Sequence, residues 1–412
     1  MISKNDQSIL NFLGAKICDI NSSDSKEYWF INNPDDTVRW LFPRDLKTPT
    51  FLNFYNISNL RARVFALVIK LLFFFRLSKL VKSGSVFLSI EKDSILKMIV
   101  GKNKTDNYSI FTGTKGENRK AIIELNVNKK TTLFIKVALT KSSKILVTNE
   151  IEKLEFLKKY SLKNLAVPKV LSSNKEQGVI EITNIKPIIS KQLLELNNLH
   201  FVSLNEIAKL VEIEIKWNEF KMINDCKQSI ITLKNQSFCN NGLNKNRILD
   251  LGDKVLKVIL KLEIDKKVRL GLSHGDFTPW NMYFSKDNKI HLFDWELSEF
   301  EMPLLFDAFH YVFQSSIMIK RLSYKELMIH VKKSLNEKDC RLMITEYNID
   351  INKNYAFYLI YTISYYLKKY TVQEELHQQV FWMLNIWEEA IDDVLKSKGQ
   401  IFKKVHNESD NI

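Results

Sequence analysis

The spacing of apolar residues divides this chain into a strand-rich first part and a helix-rich remainder. Ala121–Leu125 and Leu133–Val137 are short apolar runs rich in branched side chains, so each predicts a strand. Trp40–Pro43 and Phe51–Tyr55 predict strands or packed loop after a turn at Asn33–Asp36. Ile151, Leu154 and Leu157 recur at helical spacing within Asn149–Leu157. Beyond residue 186 the pattern is mostly helical. One helix is expected over Phe201–Phe220, with Ile207, Leu210, Val211 and Ile215 as its stripe. Others are expected over Leu251–Ile264, Tyr324–Leu335, Tyr355–Tyr370 and Gln373–Lys396, with a polar loop at Asn235–Asn246 and a polar tail from Ser397.

The segment Asn59–Lys82 reads as a helix of a different kind. Its run Val64–Phe75 is apolar nearly all round, is too short to span a bilayer and is interrupted by Lys70. From Arg61 to Lys82 there are six basic residues and no acidic one. Two readings fit: a helix buried against the body of the protein, and an interfacial helix on an anionic membrane.

Composition narrows the class. The 412 residues allow two or three domains, and 45% hydrophobic with 26% charged residues is ordinary for a soluble globular protein. The net charge of +14 suits ATP, anionic substrates, nucleic acid or an anionic membrane, and equally a chain in which Lys and Asn are abundant throughout. Cys18, Cys226, Cys239 and Cys340 are scattered, with no C-x-x-C, which excludes a zinc ribbon or disulfide framework and predicts reduced thiols in a cytoplasmic protein. The opening residues Met-Ile-Ser-Lys-Asn-Asp-Gln have no apolar stretch, so no signal peptide is expected. No zinc finger, RNA-binding aromatic motif or concentrated basic arm supports nucleic-acid binding.

The chemistry concentrates between Ser273 and Glu296. Asp276, Asn281 and Asp294 put two acids and an amide close in sequence. Met282–Phe284, the turn-like Ser285–Asn288 and Ile290–Phe293 predict a hairpin that returns Asn281 and Asp294 to one end, with Asp276 on the loop before it. Such oxygen ligands suit Mg²⁺.

The pattern H-G-D-x-x-x-x-N at His274–Asn281, followed by D-W-E at Asp294–Glu296, resembles the aminoglycoside phosphotransferase and choline kinase group. These are small-molecule kinases with a protein-kinase-like fold, whose counterparts in protein kinases are H-R-D-x-x-x-x-N and D-F-G. The resemblance covers roughly residues 100–320. It implies an α+β, bilobal fold with a small β-rich N-lobe over 86–185, a mainly helical C-lobe over 186–412, and an accessory region over 1–85. It implies Asp276 as the catalytic aspartate, Asn281 and Asp294 as Mg²⁺ ligands, and His274 and Asp307 as structural braces of the loop. Lys136 would contact the ATP α- and β-phosphates, held by Glu150, with Glu152 and Glu155 as alternatives; Val167–Leu171 would be the strand after that helix and Gly178–Ile185 the last strand of the small lobe. Gly113 and Gly116 would form the turn over the phosphates; a plain hairpin turn fits them as well. The aromatics Tyr355, Phe357, Tyr358, Tyr361, Tyr365, Tyr366, Phe381, Trp382 and Trp387 belong to the core or line an acceptor pocket.

The expected function is therefore transfer of the γ-phosphoryl of Mg·ATP to a hydroxyl of a sugar, aminoglycoside-like or glycan-intermediate acceptor. The alternative is a catalytically silent, kinase-shaped scaffold. Expected partners are ATP and the acceptor, joined by an anionic membrane met peripherally through 59–82 only under the interfacial reading of that helix.

Overall fold

The structure is a computed structural model that describes residues 2–19, 25–54, 60–103, 107–127, 130–187, 191–238, 244–262, 266–373 and 376–402. Cys239, the expected element ends at Tyr55, Asn59 and Ile264, part of the loop 235–246 and the tail from Lys403 lie outside them. The fold is α+β, in two compact units. Unit 1 comprises residues 1–161, 166–188 and 292–296, and is built on a sheet; unit 2 comprises the remainder and is mainly helical.

Unit 1 contains, in chain order, α1 (Lys4–Leu13), β1 (Ala15–Cys18), β2 (Lys26–Asn32), β3 (Val38–Pro43), α2 (Leu60–Phe74), β4 (Gly84–Ile90) and α3 (Ile95–Asn103). Then come β5 (Tyr108–Phe111), β6 (Lys120–Val127), β7 (Lys130–Ala138) and α4 (Lys141–Leu157). β8 (Leu165–Ala166) starts in unit 2 and ends in unit 1, and β9 (Val170–Asn174) and β10 (Val179–Thr183) follow in unit 1. Among the described residues one sheet of nine strands runs β1-β4-β2-β3-β5-β6-β7-β10-β9. Residues 1–85, expected as an accessory region, thus supply β1–β3 to this same sheet, and the boundary at 85 falls inside β4. The pairing β3–β5, with Trp40 opposite Phe111, joins the two halves.

Residues opposed across antiparallel strands share a face of the sheet. The row Trp40, Phe111, Ile122, Lys136, Ile180 follows from the registers of β3, β5, β6, β7 and β10. On the opposite face Leu41, Ile110, Ile123, Ile135 and Val137 are buried beneath Leu10 and Leu13 of α1 and Leu96 and Ile99 of α3. On the Lys136 face, at its β2–β3 end, Trp29, Trp40 and Phe42 pack with Phe51, Ala66, Ile69 and Phe73. Phe51 lies in a 3-10 turn (Thr50–Phe54) where a strand was one of the two expectations. α2 ends at Phe74, eight residues before the expected Lys82. Arg76 takes a left-handed φ of 59°, Leu77 N donates to Leu72 O at 2.7 Å and Arg76 N to Phe73 O at 3.1 Å, a Schellman termination without its usual glycine.

Unit 2 continues with α5 (Asn198–Ala208), β11 (Ile213–Lys216), α6 (Lys221–Lys234), α7 (Lys245–Lys261), β12 (Lys267–Ser273), β13 (Met282–Phe284), β14 (Ile290–Leu292) and β15 (Glu299–Pro303). It closes with α8 (Phe306–Gln314), α9 (Tyr324–Leu335), α10 (Lys338–Glu346), α11 (Ile351–Tyr370) and α12 (Gln378–Lys396). The helix expected over Phe201–Phe220 is α5 followed by β11. Ile213 and Ile215 alternate with Glu214 and Lys216, and that two-residue period pairs them with Leu270 and Val268 of β12. β11, β12 and β15 form a small sheet. α11 is the core helix, with Tyr355, Phe357, Tyr358 and Ile363 wholly buried.

Candidate functional site

In unit 1, β7 places Lys136 on the strand-facing side of α4. Helix α4 starts with a capping box, in which Thr140 Oγ1 accepts from Ser143 N and Ser143 Oγ accepts from Thr140 N, each at 3.0 Å. Its buried positions Val147, Glu150, Ile151, Leu154 and Leu157 recur at helical spacing, so Glu150 falls on the face that meets the sheet. Lys136 Nζ donates to Glu150 Oε1 at 2.7 Å, to Glu150 Oε2 at 2.8 Å and to Asp294 Oδ1 at 2.7 Å. Lys136 is 6% exposed and Glu150 0%. Burial works against the ammonium charge, but the carboxylates of Asp294 and Glu150 outweigh it and hold its pKa above the usual lysine range. The two alternatives engage elsewhere: Glu152 pairs with Lys175 at 2.9 Å and Glu155 with Lys158 at 3.6 Å.

The D-W-E segment joins this cluster. Asp294 has φ 70°, a left-handed conformation uncommon for a residue with a side chain. Buried Trp295 donates its indole N–H to Leu292 O at 3.1 Å, and Asn149 of α4 donates to Glu296 O at 2.9 Å. The Glu296 carboxylate pairs with Lys120, the first residue of β6. Carboxylate oxygens of Glu150, Asp294 and Glu296 lie within 4.8 Å of one another. Three carboxylates against two lysines leave an anionic, all-oxygen donor set, which fits a hard divalent cation such as Mg²⁺. Sequence reasoning missed Glu296 and Lys120; the acid two residues after Asp294 was the available signal.

Gly113 and Gly116 lie in the β5–β6 loop that runs into Lys120. Gly113 has φ 79°, and a Cβ there would sit 2.1 Å from Lys120 O, so the tight turn requires glycine. The loop is tied at both ends of its return: Arg119 Nε donates to Thr112 O at 3.0 Å, and Ser142 of α4 donates to Asn118 at 2.6 Å.

In unit 2, β12 delivers His274-Gly275-Asp276. Gly275 has φ 80°, and a Cβ would meet Leu297 O at 1.9 Å. Asp307, in the first turn of α8, accepts from His274 N at 2.7 Å and from Gly275 N at 2.9 Å. Its burial raises its pKa, against the donors that favour its charge. His274 is fully buried, its ring 6.3 Å from that of Phe277. Asn281 Nδ2 donates to Asp276 O at 3.0 Å and to Asp276 Oδ2 at 2.8 Å, which fixes the orientation of the amide. The other carboxylate oxygen, Asp276 Oδ1, lies 3.1 Å from His310 Nε2. A carboxylate only accepts, so the imidazole is the donor. His310 stands one turn beyond Asp307 on α8, and sequence reasoning missed it; the D-x-x-H spacing at Asp307–His310 carries the signal.

The aromatic set divides. Tyr355, Phe357, Tyr358 and Trp387 are buried core. Tyr361, Tyr365 and Tyr366 are partly exposed, with Tyr361 and Tyr365 stacked at 6.0 Å. Burial and then the Asp276 charge push the Tyr365 phenol up to about 12. Phe381 and Trp382 are partly exposed, with Arg321 lying 4.4 Å over the Trp382 ring.

The structure therefore brings Lys136, Glu150 and Asp294 together in unit 1, and His274, Asp276, Asn281 and Asp307 together in unit 2. No protein-family model and no curated protein matches the chain. Among solved structures it is similar to choline kinase LicA from Streptococcus pneumoniae, at 14% identity over 73% of this chain and 98% of that one, with a TM-score of 0.45. It is similar to an ethanolamine kinase from Plasmodium vivax, at 13% identity over 74% of this chain and 90% of that one, with a TM-score of 0.48. It is also similar to the aminoglycoside phosphotransferase APH(2'')-Ib, solved with ADP bound, at 14% identity over 74% and 97%, with a TM-score of 0.44.

Proposed function

We propose that this chain transfers the γ-phosphoryl of ATP to a hydroxyl group of a small-molecule acceptor. The observation that carries the reading is the buried Lys136, its Nζ shared between Glu150 and Asp294 at 2.7 Å, with the Glu296 carboxylate beside them. A lone buried lysine on a strand is costly. Held by a helix glutamate and next to a cluster of acids, it is instead a fixed cation for phosphate oxygens.

In this reading Lys136 neutralises charge on the α- and β-phosphates, and Glu150 keeps its ammonium in place. Asp294 and Asn281 would hold Mg²⁺, with Glu296 as a further oxygen donor. Mg²⁺, when bound, offsets negative charge on the phosphates. The loop with Gly113 and Gly116 offers backbone N–H groups to them. Asp276, its carboxylate held by Asn281 and His310, orients the acceptor hydroxyl and takes its proton. The acceptor oxygen forms its bond to the γ-phosphorus as the bond to the bridging oxygen breaks, and ADP leaves with that electron pair. Positioning and electrostatics supply most of the rate in such chemistry. Asp307 and His274 brace the loop.

For the acceptor, the partly exposed Tyr365 and Tyr366 feel the Asp276 charge, and Tyr365 also that of Glu299. Flat aromatic faces beside acids suit a sugar, an amino sugar of the aminoglycoside kind or a glycan intermediate.

The test is Mg·ATP binding by calorimetry, with ADP release against aminoglycosides, choline, homoserine, hexoses, heptoses and lipid-linked sugars. Asp276→Asn should bind Mg·ATP as the native chain does and lose the acceptor-dependent release. Failure of the native chain to bind Mg·ATP would replace this reading with that of a silent scaffold.

A further inference from the structure

Helix α2 carries two apolar stripes, and only one of them is buried. Ala66, Ile69 and Phe73 pack on Trp29, Trp40, Phe42 and Phe51 of unit 1. Val64, Leu67, Val68, Leu71, Phe74 and Phe75 recur at three- and four-residue steps along another face and are exposed. Leu77 and Leu80 extend the exposed strip through the following turn, with Phe74 78% and Leu80 73% exposed. Scattered apolar side chains on a surface need no explanation, but a contiguous strip of this size marks an interaction site.

The charges around the strip say what covers it. Lys70, Arg76 and Lys79 are exposed among these side chains, and Lys82 lies 4.8 Å over the Trp29 ring at the end of the segment. Between Arg61 and Lys82 the sequence has six basic residues and no acidic one. A second copy of this chain packed on the strip about a two-fold axis would bring the same basic residues face to face with no acid to pair them. A nucleic acid would satisfy the charge and leave the leucines and phenylalanines in water. An anionic phospholipid surface satisfies both, since it offers acyl chains to the apolar strip and headgroup phosphates to the rim. α2 has 15 residues, and no helix among the described residues is long and apolar enough to cross a membrane, so the contact is one of lying on the surface.

We propose that α2 and the turn after it form a docking surface for anionic membranes, holding unit 1 by the strip Leu67, Leu71, Phe74, Phe75 and Leu80. This stands on the exposure and charge of α2 alone and is independent of the phosphotransferase reading.

The experiment is flotation of the full chain with vesicles of phosphatidylcholine alone and of phosphatidylcholine with phosphatidylglycerol, at about 0.1 M and about 1 M salt. The native chain should float with the anionic vesicles, less with the neutral ones, and less at high salt. Phe74→Ser with Phe75→Ser should weaken flotation by about tenfold or more. Arg76→Glu with Lys79→Glu should weaken it by about fivefold or more per residue, on the anionic vesicles only. Circular dichroism and Mg·ATP binding of both variants should match the native chain, because all four side chains are exposed and none is assigned to the phosphate cluster. No flotation with anionic vesicles would overturn the proposal, as would equal flotation of the Phe74 and Phe75 variant. A native dimer that this variant dissolves, without flotation, would assign the strip to a second copy. Retention on RNA in place of vesicles would assign it to nucleic acid.

Discussion

Replacing Lys136 by Met should strand a carboxylate that cannot reach water. Lys136 Nζ makes three short contacts, two to Glu150 and one to Asp294. The two acids differ in what is left to them: the Glu150 side chain is wholly buried, whereas that of Asp294 is 33% exposed. Asp294 can recover hydration; Glu150 cannot. Breaking a buried pair by removing one partner costs about 3–5 kcal/mol, and here most of that cost belongs to Glu150. Adding Glu150→Gln to Lys136→Met should therefore restore about 2–3 kcal/mol, as expected of directly coupled neighbours. Adding Asp294→Asn instead should restore little. The native Lys136 pKa is raised, so its stabilising effect is complete below the ordinary lysine pKa and is lost only as pH rises above that, outside the working range. The assay is native-state hydrogen exchange at the amides of β7 and α4, which follows unit 1 by itself. Equal rescue by the two second substitutions, or a loss under about 1 kcal/mol for Lys136→Met, would refute the reasoning.

Other buried groups carry further predictions. His310→Ala should lower kcat by up to about 100-fold with little change in KM for ATP, and His310→Gln should recover part of it by restoring a donor near Asp276 Oδ1; unchanged kcat in His310→Ala would remove His310 from any positioning role. The two units should also answer pH in opposite senses. Burial pushes Glu124 up to about 7 from 4.5, so its contribution to unit 1 is present below 4.5 and is lost, by up to about 3 kcal/mol, as pH rises through 7. Burial pushes His200 down to about 3 from 6.5, so its contribution to unit 2 is present above 6.5 and is lost, by up to about 5 kcal/mol, as pH falls toward 3. Exchange rates in each unit across pH, compared with Glu124→Gln and His200→Phe, check both; variants that keep the native slopes would show that these groups do not set them.

What was legible in the sequence is what local periodicity or a short motif encodes. Lys136 among apolar neighbours and the run from His274 to Asp294 announce themselves locally, whereas local periodicity marks the helix around Glu150 but does not separate Glu150 from Glu152 and Glu155. The misread segments fail for physical reasons. Over Phe201–Phe220 the apolar positions satisfy a helical period at first, and then Ile213 and Ile215 change to an alternation whose partner, β12, lies more than fifty residues away. The end of α2 carries no glycine, because Arg76 takes the left-handed position itself. Glu296 and His310 gain meaning only from tertiary contacts, to Lys120 and to Asp276. The N-terminal region was harder still. No motif marks it, yet its strand β3 pairs with β5, and the register carried from Trp40 through Phe111 and Ile122 puts its aromatic cluster on the face of the sheet that bears Lys136. That arrangement makes the first 85 residues part of the wall of the lysine's sheet. A deletion at residue 85 would cut β4, strip the Trp29–Trp40–Phe42 packing and expose the edge of β5, so the region belongs to the folding of unit 1 before it belongs to any partner.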